Sequence, residues 1–144
     1  MKPVVVTGAN KGIGLAIVKR LLREYPDVYV FLGSRDCGRG KASIENIAKE
    51  MGDSIKERLE MLELDVISDE SVKRAVETVK KNLGGNTNLL YGLVNNAGGG
   101  LVGEDSSGRQ TVELNMYGVR RVTEAFLPLL QTEGSSDIFY KTKR

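Results

Sequence analysis

The sequence predicts an α/β fold in which one doubly wound parallel sheet carries helices on both of its faces. Three observations support this fold. Short runs of apolar and β-branched residues alternate with longer segments whose apolar residues recur at helical spacing. The short runs are apolar throughout, as expected of strands that are buried on both faces. Glycines follow the first run directly, which is where a strand gives way to a helix in sheets of this kind.

The predicted elements follow one another in a regular β-α order. The apolar runs predicted as strands are residues 4–7, 28–32, 59–66 and 89–94. Helical spacing predicts helices over 13–25, 41–51, 68–83 and 110–130. Pro26 ends the first helix, Ser68 caps the third, and Gly84 with Gly85 ends it. Because strands and helices alternate, the crossovers are right-handed and the strands are parallel.

Length and composition favour one soluble domain. The chain has 144 residues, of which 40% are hydrophobic and 28% are charged, close to globular averages. A formal net charge of +2 is too small to suggest nucleic acid as a partner. The apolar run near the N-terminus is too short for a signal peptide or a membrane span, so we expect a cytoplasmic protein with no membrane partner.

Cys37 is the only cysteine, and the chain has no histidine. An intrachain disulfide is therefore excluded, and so are Ser-His and Cys-His dyads and the commonest metal ligand. We predict no metal site, and any catalysis must use other groups. Asp36 precedes Cys37 and disfavours a thiolate, so a reactive thiol is not expected.

A glycine-rich segment, T-G-A-N-K-G-I-G at 7–14, joins the first predicted strand to the first helix. A helix N-terminus there offers free N–H groups and positive potential to a pyrophosphate. Gly8 lets the chain turn, Gly12 allows a close approach to phosphates, and Gly14 lets helix and strand pack together. A glycine trio alone also occurs in ordinary strand-to-helix turns, so its context decides the interpretation.

That context is N-N-A-G at 95–98, directly after the fourth predicted strand. With 7–14 it resembles the short-chain dehydrogenase/reductase family, and residues 7–18 are similar to the NADPH-dependent carbonyl reductases of that family. The resemblance covers about residues 3–133 and implies a Rossmann-type sheet that is incomplete, with four strands and part of a fifth. It also implies that NADP(H) is the cofactor. The residues it assigns to the cofactor are Gly8, Asn10, Lys11, Gly12, Ile13, Gly14, Arg35, Asp65, Val66, Asn95, Ala97 and Gly98.

The end of the second predicted strand indicates which nucleotide is preferred. Family members that use NAD place an acid there for the ribose 2′-hydroxyl, whereas a cation suits a 2′-phosphate. Arg35 matches the cation, and Lys11 adds a second positive charge. Without the glycine loop, these two residues would be interpreted equally well as solvated surface charges. Asp36 follows directly and complicates the preference for NADP(H).

The resemblance also assigns roles near the predicted chemistry. Within 95–98, the two Asn side chains are expected to tie strands together at the carboxyl edge of the sheet. Asp65 matches the acid that accepts a hydrogen bond from the adenine amino group, although a lone Asp after a strand is more often a turn residue. Residues 111–118 resemble the family segment whose Asn belongs to the catalytic tetrad, which makes Asn115 the match. There the Asn holds a water that passes protons to a Lys; by composition alone, Asn115 is a helical residue that bonds locally.

The family reaction is hydride transfer to a carbonyl carbon, with Tyr as the general acid and with assistance from Lys and Ser. The chain contains no Tyr-x-x-x-Lys. Tyr140 is followed four residues later by Arg144, which stays charged and cannot move protons as Lys does. No Ser precedes Tyr140 at the family's distance. Residues 1–133 are therefore predicted to form an incomplete NADP-binding domain, and 134–144 a divergent tail in which 138–140 could add an edge strand.

Two functions stay open at this point. The first is an NADPH-dependent carbonyl reductase that reduces a ketone, aldehyde or quinone, with the carbonyl substrate bound only in a longer form. The second is a truncated, catalytically inactive NADP-binding fragment. Such a fragment would self-associate or pair with the full-length enzyme through an open sheet edge. The sequence specifies neither the substrate nor the oligomeric state.

Overall fold

A computed structural model describes residues 1–85, 89–99 and 108–131, together with the backbone of 137–140. Within these residues, five strands form one sheet in the order β3-β2-β1-β4-β5, and every neighbouring pair is parallel. The strands are β1 Lys2–Val6, β2 Val28–Ser34, β3 Leu59–Glu63, β4 Gly92–Asn95 and β5 Asp137–Tyr140. The predicted doubly wound parallel sheet of four strands and part of a fifth is thus confirmed.

The helices connect the strands as the sequence predicts, with small differences in their bounds. They are α1 Gly12–Glu24, α2 Cys37–Met51, α3 Asp69–Asn82, α4 Gly108–Val112 and α5 Gly118–Phe126. Short 3-10 segments cover Asp53–Arg58 and Leu127–Leu129, and a π-helical turn, Glu113–Tyr117, lies between α4 and α5. None of the helices in the described ranges has the length and apolar character needed to cross a membrane.

The continuous apolar runs are explained by cores on both faces of the sheet. Successive side chains of a strand point to opposite faces. Val5 packs in one buried cluster with residues of α3 and α5, whereas Val4 and Val6 pack in another with residues of α1 and α2. Phe31 in the first cluster and Leu32 in the second repeat this division on the neighbouring strand.

Several predicted bounds were wrong by a few residues. The helix predicted over 41–51 begins at Cys37, because the Asp36 carboxylate accepts a hydrogen bond from the Arg39 N–H and caps the helix. The strand predicted over 59–66 ends at Glu63, and the one predicted over 89–94 is Gly92–Asn95. Strand bounds are set by pairing with neighbours, which apolar runs do not reveal.

The last predicted helix, 110–130, is not uniform. It begins at Gly108 and changes to π geometry over Glu113–Tyr117. The π turn ends at Tyr117, and α5 begins at Gly118, where an added Cβ would lie 2.9 Å from Cγ2 of Val66. The two segments therefore pack closely at this junction. Single π turns inside α-helices are rare and are frequent at functional sites.

The edge strand within the tail is confirmed. Strand β5 lies inside segment 134–144 and pairs with β4, with Leu93 opposite Ile138 and Asn95 opposite Tyr140. That part of the segment therefore belongs to the same sheet as the rest of the chain.

Candidate functional site

A cleft of about 900 Å³ opens at the carboxyl ends of the central strands. By the rule for open parallel sheets, ligands bind at this edge. Ten of the residues that the sequence assigns to a cofactor line it. They are Gly8, Asn10, Lys11, Gly12, Ile13, Arg35, Asp65, Val66, Ala97 and Gly98. Residues from four separate segments of the chain are thus brought to one surface.

Sequence reasoning missed the other residues that line this cleft in the described part of the chain. They are Leu64, Ile67, Asn96, Gly99, Arg109, Gln110, Glu113 and Leu114. Four of the eight come from α4 and the π turn. Tertiary packing brings these four to the cleft, since Gly118, just after the π turn, packs against Val66. No local motif could therefore have identified them.

The glycine loop has the conformation that its sequence predicts. Gly8 and Gly12 have positive φ angles of 61° and 57°, which side-chain-bearing residues adopt at a cost. A Cβ added at Gly12 would meet nothing within 4 Å, so the space above this residue is open. A Cβ at Gly8 would lie 2.8 Å from Cα of Ala97, so the loop packs directly on the segment after β4.

The N-terminus of α1 differs from those of α2 and α3. Side chains cap α2 and α3, through Asp36 and Ser68 respectively. Lys11 precedes α1 and makes no side-chain cap, and the first turn of α1 contains no acid. The first N–H groups of α1 therefore keep their capacity to donate to an anion in the cleft.

Thr7 and Asn96 join the glycine loop to the segment after β4. The Thr7 hydroxyl oxygen accepts from the N–H groups of Asn96 and Ala97, at 3.0 and 2.9 Å. The Asn96 side-chain amide donates to the carbonyl oxygens of Thr7 and Gly8, both at 3.0 Å. Its Oδ1 is buried and has no hydrogen-bond partner in the described part of the chain. The donors are committed to two carbonyls, so the amide orientation is set by the backbone.

Only one of the two adjacent Asn side chains acts as predicted. The sequence indicated that both tie strands together, and Asn96 does so between the ends of β4 and β1. The Asn95 amide instead donates to the Thr123 hydroxyl on α5, at 3.1 Å. Asn95 is buried and does not line the cleft, because successive residues of a strand point to opposite faces. Gly14 also lies outside the lining and instead packs against Asn96.

Two cations line the cleft. Arg35 and Lys11 are both exposed and both line it. The neighbouring acid, Asp36, accepts from the Arg39 N–H at 2.8 Å and pairs with the Arg39 side chain at 3.5 Å. Because this carboxylate is committed to the start of α2, the complication that Asp36 introduced in the sequence is reduced.

A buried serine supports the same region. The Ser43 hydroxyl on α2 has two acceptors for its single proton, the carbonyl oxygens of Asn10 at 2.8 Å and of Arg39 at 2.9 Å. The bond to Asn10 connects the glycine loop to α2, the helix that Asp36 caps. Ser43 was not identified from the sequence, because nothing within its own helix distinguishes it from a local helix serine.

Asp65, just after β3, was interpreted either as a turn residue or as a residue that binds the adenine. Its Oδ1 accepts from the Ile67 N–H at 3.2 Å, which is the bond of a turn residue. Its own N–H donates to the Ser71 hydroxyl, and the residue lines the cleft. Asp65 is therefore a turn residue that also faces the cleft.

Asn115 lies in the π turn and contacts the glycines after β4. Its Oδ1 accepts from the Gly99 N–H at 3.0 Å, and its Nδ2 donates to the Gly99 carbonyl at 2.7 Å. An added Cβ at Gly98 would lie 2.8 Å from the same Oδ1. Asn115 does not line the cleft, and its side chain does not bond within its own helix, as composition alone suggested, but to a segment 16 residues earlier. Its assignment to a catalytic tetrad stays a prediction.

Some parts of the sequence interpretation fall outside the described residues. They are the side chains of Tyr140 and Arg144, and residues 100–107 between N-N-A-G and the last predicted helix. Within the described ranges, no three Cys, Asp or Glu side chains lie close enough to hold a metal ion.

The thiol of Cys37 is not activated. Burial and a hydrogen bond to Glu63, 3.5 Å away, raise the pKa of Cys37. The sequence prediction named Asp36 as the cause, but Asp36 makes only a minor contribution.

Comparisons with known proteins agree with this architecture. The model of a family described as short chain dehydrogenase matches residues 2–139. Mitochondrial D-beta-hydroxybutyrate dehydrogenase of Rattus norvegicus is 35% identical over 136 residues, covering 90% of this chain and 38% of the relative. Carbonyl reductase (NADPH) 1 of Pongo abelii is 34% identical over 139 residues, covering 93% of this chain and 47% of the relative.

A solved structure gives the same result in three dimensions. Menthone neomenthol reductase from Mentha piperita matches with a TM-score of 0.82 and 31% identity, covering 95% of this chain and 58% of that one. The chain therefore spans about half the length of the proteins that it resembles.

Proposed function

The chain belongs to the short chain dehydrogenase family, and we propose that it is the cofactor-binding half of an NADPH-dependent carbonyl reductase. The observation that carries this proposal is the cleft itself. The N-terminus of α1, which has no side-chain cap, opens onto the same space as the cations Lys11 and Arg35. A polyanionic nucleotide satisfies both features together.

The residues present fit NADP(H). The pyrophosphate would lie over Gly12, where the space is open, and accept from the first N–H groups of α1. The 2′-phosphate would lie between Lys11 and Arg35, since the planar guanidinium can donate to it through two N–H groups. The Asp36 carboxylate accepts a hydrogen bond at the start of α2, so we expect it to repel the 2′-phosphate only weakly.

The remaining lining residues would orient the cofactor. Asp65 and Val66 would contact the adenine, and the small Ala97 and Gly98 would let the backbone approach the ribose and nicotinamide. When bound, NADPH supplies a hydride for a carbonyl carbon. The residues of this chain bind and orient the cofactor, and the hydrogen bonds of Thr7 and Asn96 hold the binding surface in place.

The chemistry of the whole protein follows as a proposal from the family. Asn115 would be the Asn of the catalytic tetrad. The chain has no Tyr-x-x-x-Lys, so the general acid and its Lys would come from a part of the protein that these 144 residues do not contain. Ketones, aldehydes and quinones are the proposed substrates of that longer form, and its relative in Pongo abelii is named as an NADPH carbonyl reductase.

A second candidate function is NADP(H) binding without turnover. One observation favours it: Arg144 stands where Lys would follow Tyr140. The two candidates differ in turnover of a reactive quinone or dicarbonyl by the purified chain. Consumption of NADPH that Tyr140→Phe abolishes would support catalysis by this chain, whereas binding without consumption would support the second candidate.

The experiment that tests cofactor binding is calorimetric titration with NADPH and NADH, using Arg35→Ala and the matched control Arg20→Ala. Arg20 is exposed on α1 and pairs with Glu24 outside the cleft. We expect NADPH to bind more tightly than NADH, and Arg35→Ala to weaken NADPH roughly 10- to 100-fold through lost charged hydrogen bonds. Arg20→Ala should change nothing. A folded chain that binds neither nucleotide would refute the proposal.

A further inference from the structure

Arg121 makes more long-range contacts than its position on α5 suggests. Its Nη1 donates to the carbonyl oxygen of Val66 at 2.9 Å, and its Nη2 donates to the carboxylate of Glu113 at 3.0 Å. Its Nε donates to the carboxylate of Asp69 at the start of α3. The side chain is only 22% exposed. One guanidinium therefore connects three segments of the chain.

Two of these partners line the cleft, and Arg121 itself does not. Val66 belongs to the turn after β3, and Glu113 begins the π turn. The guanidinium fork is planar and rigid, so bonding to both partners restricts the distance between them. The segments are also in direct contact, because an added Cβ at Gly118 would lie 3.3 Å from the Val66 carbonyl oxygen.

The second consequence is electrostatic. Glu113 places a carboxylate at the edge of a cleft that is proposed to hold a polyanion. Arg121 supplies a compensating charge from outside the cleft and holds the carboxylate oxygen by a charge-assisted bond. Without that bond, the uncompensated Glu113 carboxylate would make the potential of the cleft more negative and so disfavour a polyanion.

We infer that Arg121 is a positioning residue for the cofactor: it holds Val66 and Glu113 in the arrangement that NADP(H) requires, without touching the cofactor. This inference rests on the proposed function, since it takes the cleft as the NADP(H) site. It differs from a purely structural role, which would lower the stability of the folded chain but leave the affinity of the folded molecules unchanged.

The neighbouring residue gives a matched control. Arg120 is also on α5 and also forms an ion pair, but its partner is Glu124 on the same helix, 2.7 Å away, and neither residue lines the cleft. Replacing Arg120 with Met removes the same charge from the same helix without disturbing Val66 or Glu113.

The test is the dissociation constant of NADPH, measured by calorimetry at a temperature where circular dichroism shows each variant to be folded, with Tm recorded without ligand. We expect Arg121→Met to raise the constant about tenfold, or about 1.4 kcal/mol. Arg121→Lys keeps the charge but cannot bond to all three partners at once, so it should raise the dissociation constant about threefold. Arg120→Met should leave it within about twofold.

A double variant separates positioning from stability. Adding Glu113→Gln to Arg121→Met removes the uncompensated carboxylate, so it should recover part of the lost affinity without restoring Tm. A structural role alone predicts no recovery of affinity.

The outcomes distinguish this inference from the proposed function. If folded Arg121→Met binds NADPH with unchanged affinity, the inference is overturned and the proposed function stays intact. If the Met variant does not fold, unchanged affinity in Arg121→Lys has the same consequence. Affinity that Glu113→Gln fails to recover would also overturn it. Absence of NADPH binding by the unmodified chain would overturn the proposed function and, with it, the inference.

Discussion

Replacing Gly14 with Ala tests the contact between α1 and the segment after β4. Gly14 is the third residue of α1. A Cβ there would overlap Nδ2 of Asn96 and lie 2.6 Å from the Gly8 carbonyl oxygen and 2.9 Å from Cα of Ala9. Two of the three obstacles are backbone atoms, and the third is held by two hydrogen bonds, so none can move freely.

The expected loss of stability can be worked out from these contacts. Displacing the Asn96 amide removes two hydrogen bonds, at about 1 kcal/mol each. Overpacking against the backbone adds about 1–3 kcal/mol. Ala is a better helix former than Gly by about 1 kcal/mol, which offsets part of the loss. We therefore expect Gly14→Ala to lower the free energy of unfolding by about 2–4 kcal/mol.

The assay is urea unfolding followed by circular dichroism, with Gly108→Ala as the control. Gly108 begins α4, and a Cβ there would meet nothing within 4 Å. The control should unfold at the same urea concentration as the parent chain or at a slightly higher one. Surface substitutions usually change the free energy of unfolding by less than about 0.5 kcal/mol. If Gly14→Ala changes it by no more than that, the reasoning is refuted.

Three further predictions concern other parts of the chain. Arg58 donates to three backbone carbonyl oxygens at and just after the end of α1, so Arg58→Met should lower the free energy of unfolding by about 1–3 kcal/mol in urea, and an unchanged midpoint would contradict this. Burial is the largest cause of the raised pKa of Cys37, and the Glu63 carboxylate is the next. Glu63→Gln removes that carboxylate, so iodoacetamide should alkylate the thiol faster at mildly alkaline pH. An unchanged rate would show that burial alone protects the thiol. Burial, followed by the hydrogen bond to Glu60, raises the pKa of Tyr29, so the folded chain holds this proton more tightly than the unfolded chain does. The corresponding stability is complete below the unfolded pKa of about 10 and is lost as pH rises above it, so Tyr29→Phe should reduce the alkaline loss of stability in urea titrations, and an identical pH dependence in the variant would contradict the assignment.

Much of the site follows from local sequence because its parts are local motifs. The glycine loop adopts positive φ at Gly8 and Gly12, which local sterics permit readily only to glycine. Arg35 comes directly after the end of β2, and Asp65 follows the end of β3 closely, so the parallel arrangement brings both to one edge of the sheet. The same logic placed Ala97 and Gly98 after β4.

Other features were missed because their partners are distant in sequence. The Asp36 carboxylate was recognised as an acid near Arg35 but not as a helix cap, since capping depends on where α2 begins. The roles of Asn95 and Asn96 were treated alike, although the pleat of β4 directs them to different partners. No pattern around Arg121 indicates that its guanidinium reaches Val66, 55 residues earlier.

The sequence by itself determined the parallel α/β sheet, the turn after β1 and the cation at the end of β2. Each depends on the periodicity of burial or on the backbone preference of a few adjacent residues, and these act over short distances along the chain. Only the tertiary structure decided that Asn96 is held against the glycine loop, that α5 reaches the turn after β3 and that the last helix contains a π turn. Those contacts depend on how complete helices and strands pack against one another. Close packing between side chains that are distant in sequence produces no periodic pattern in the sequence.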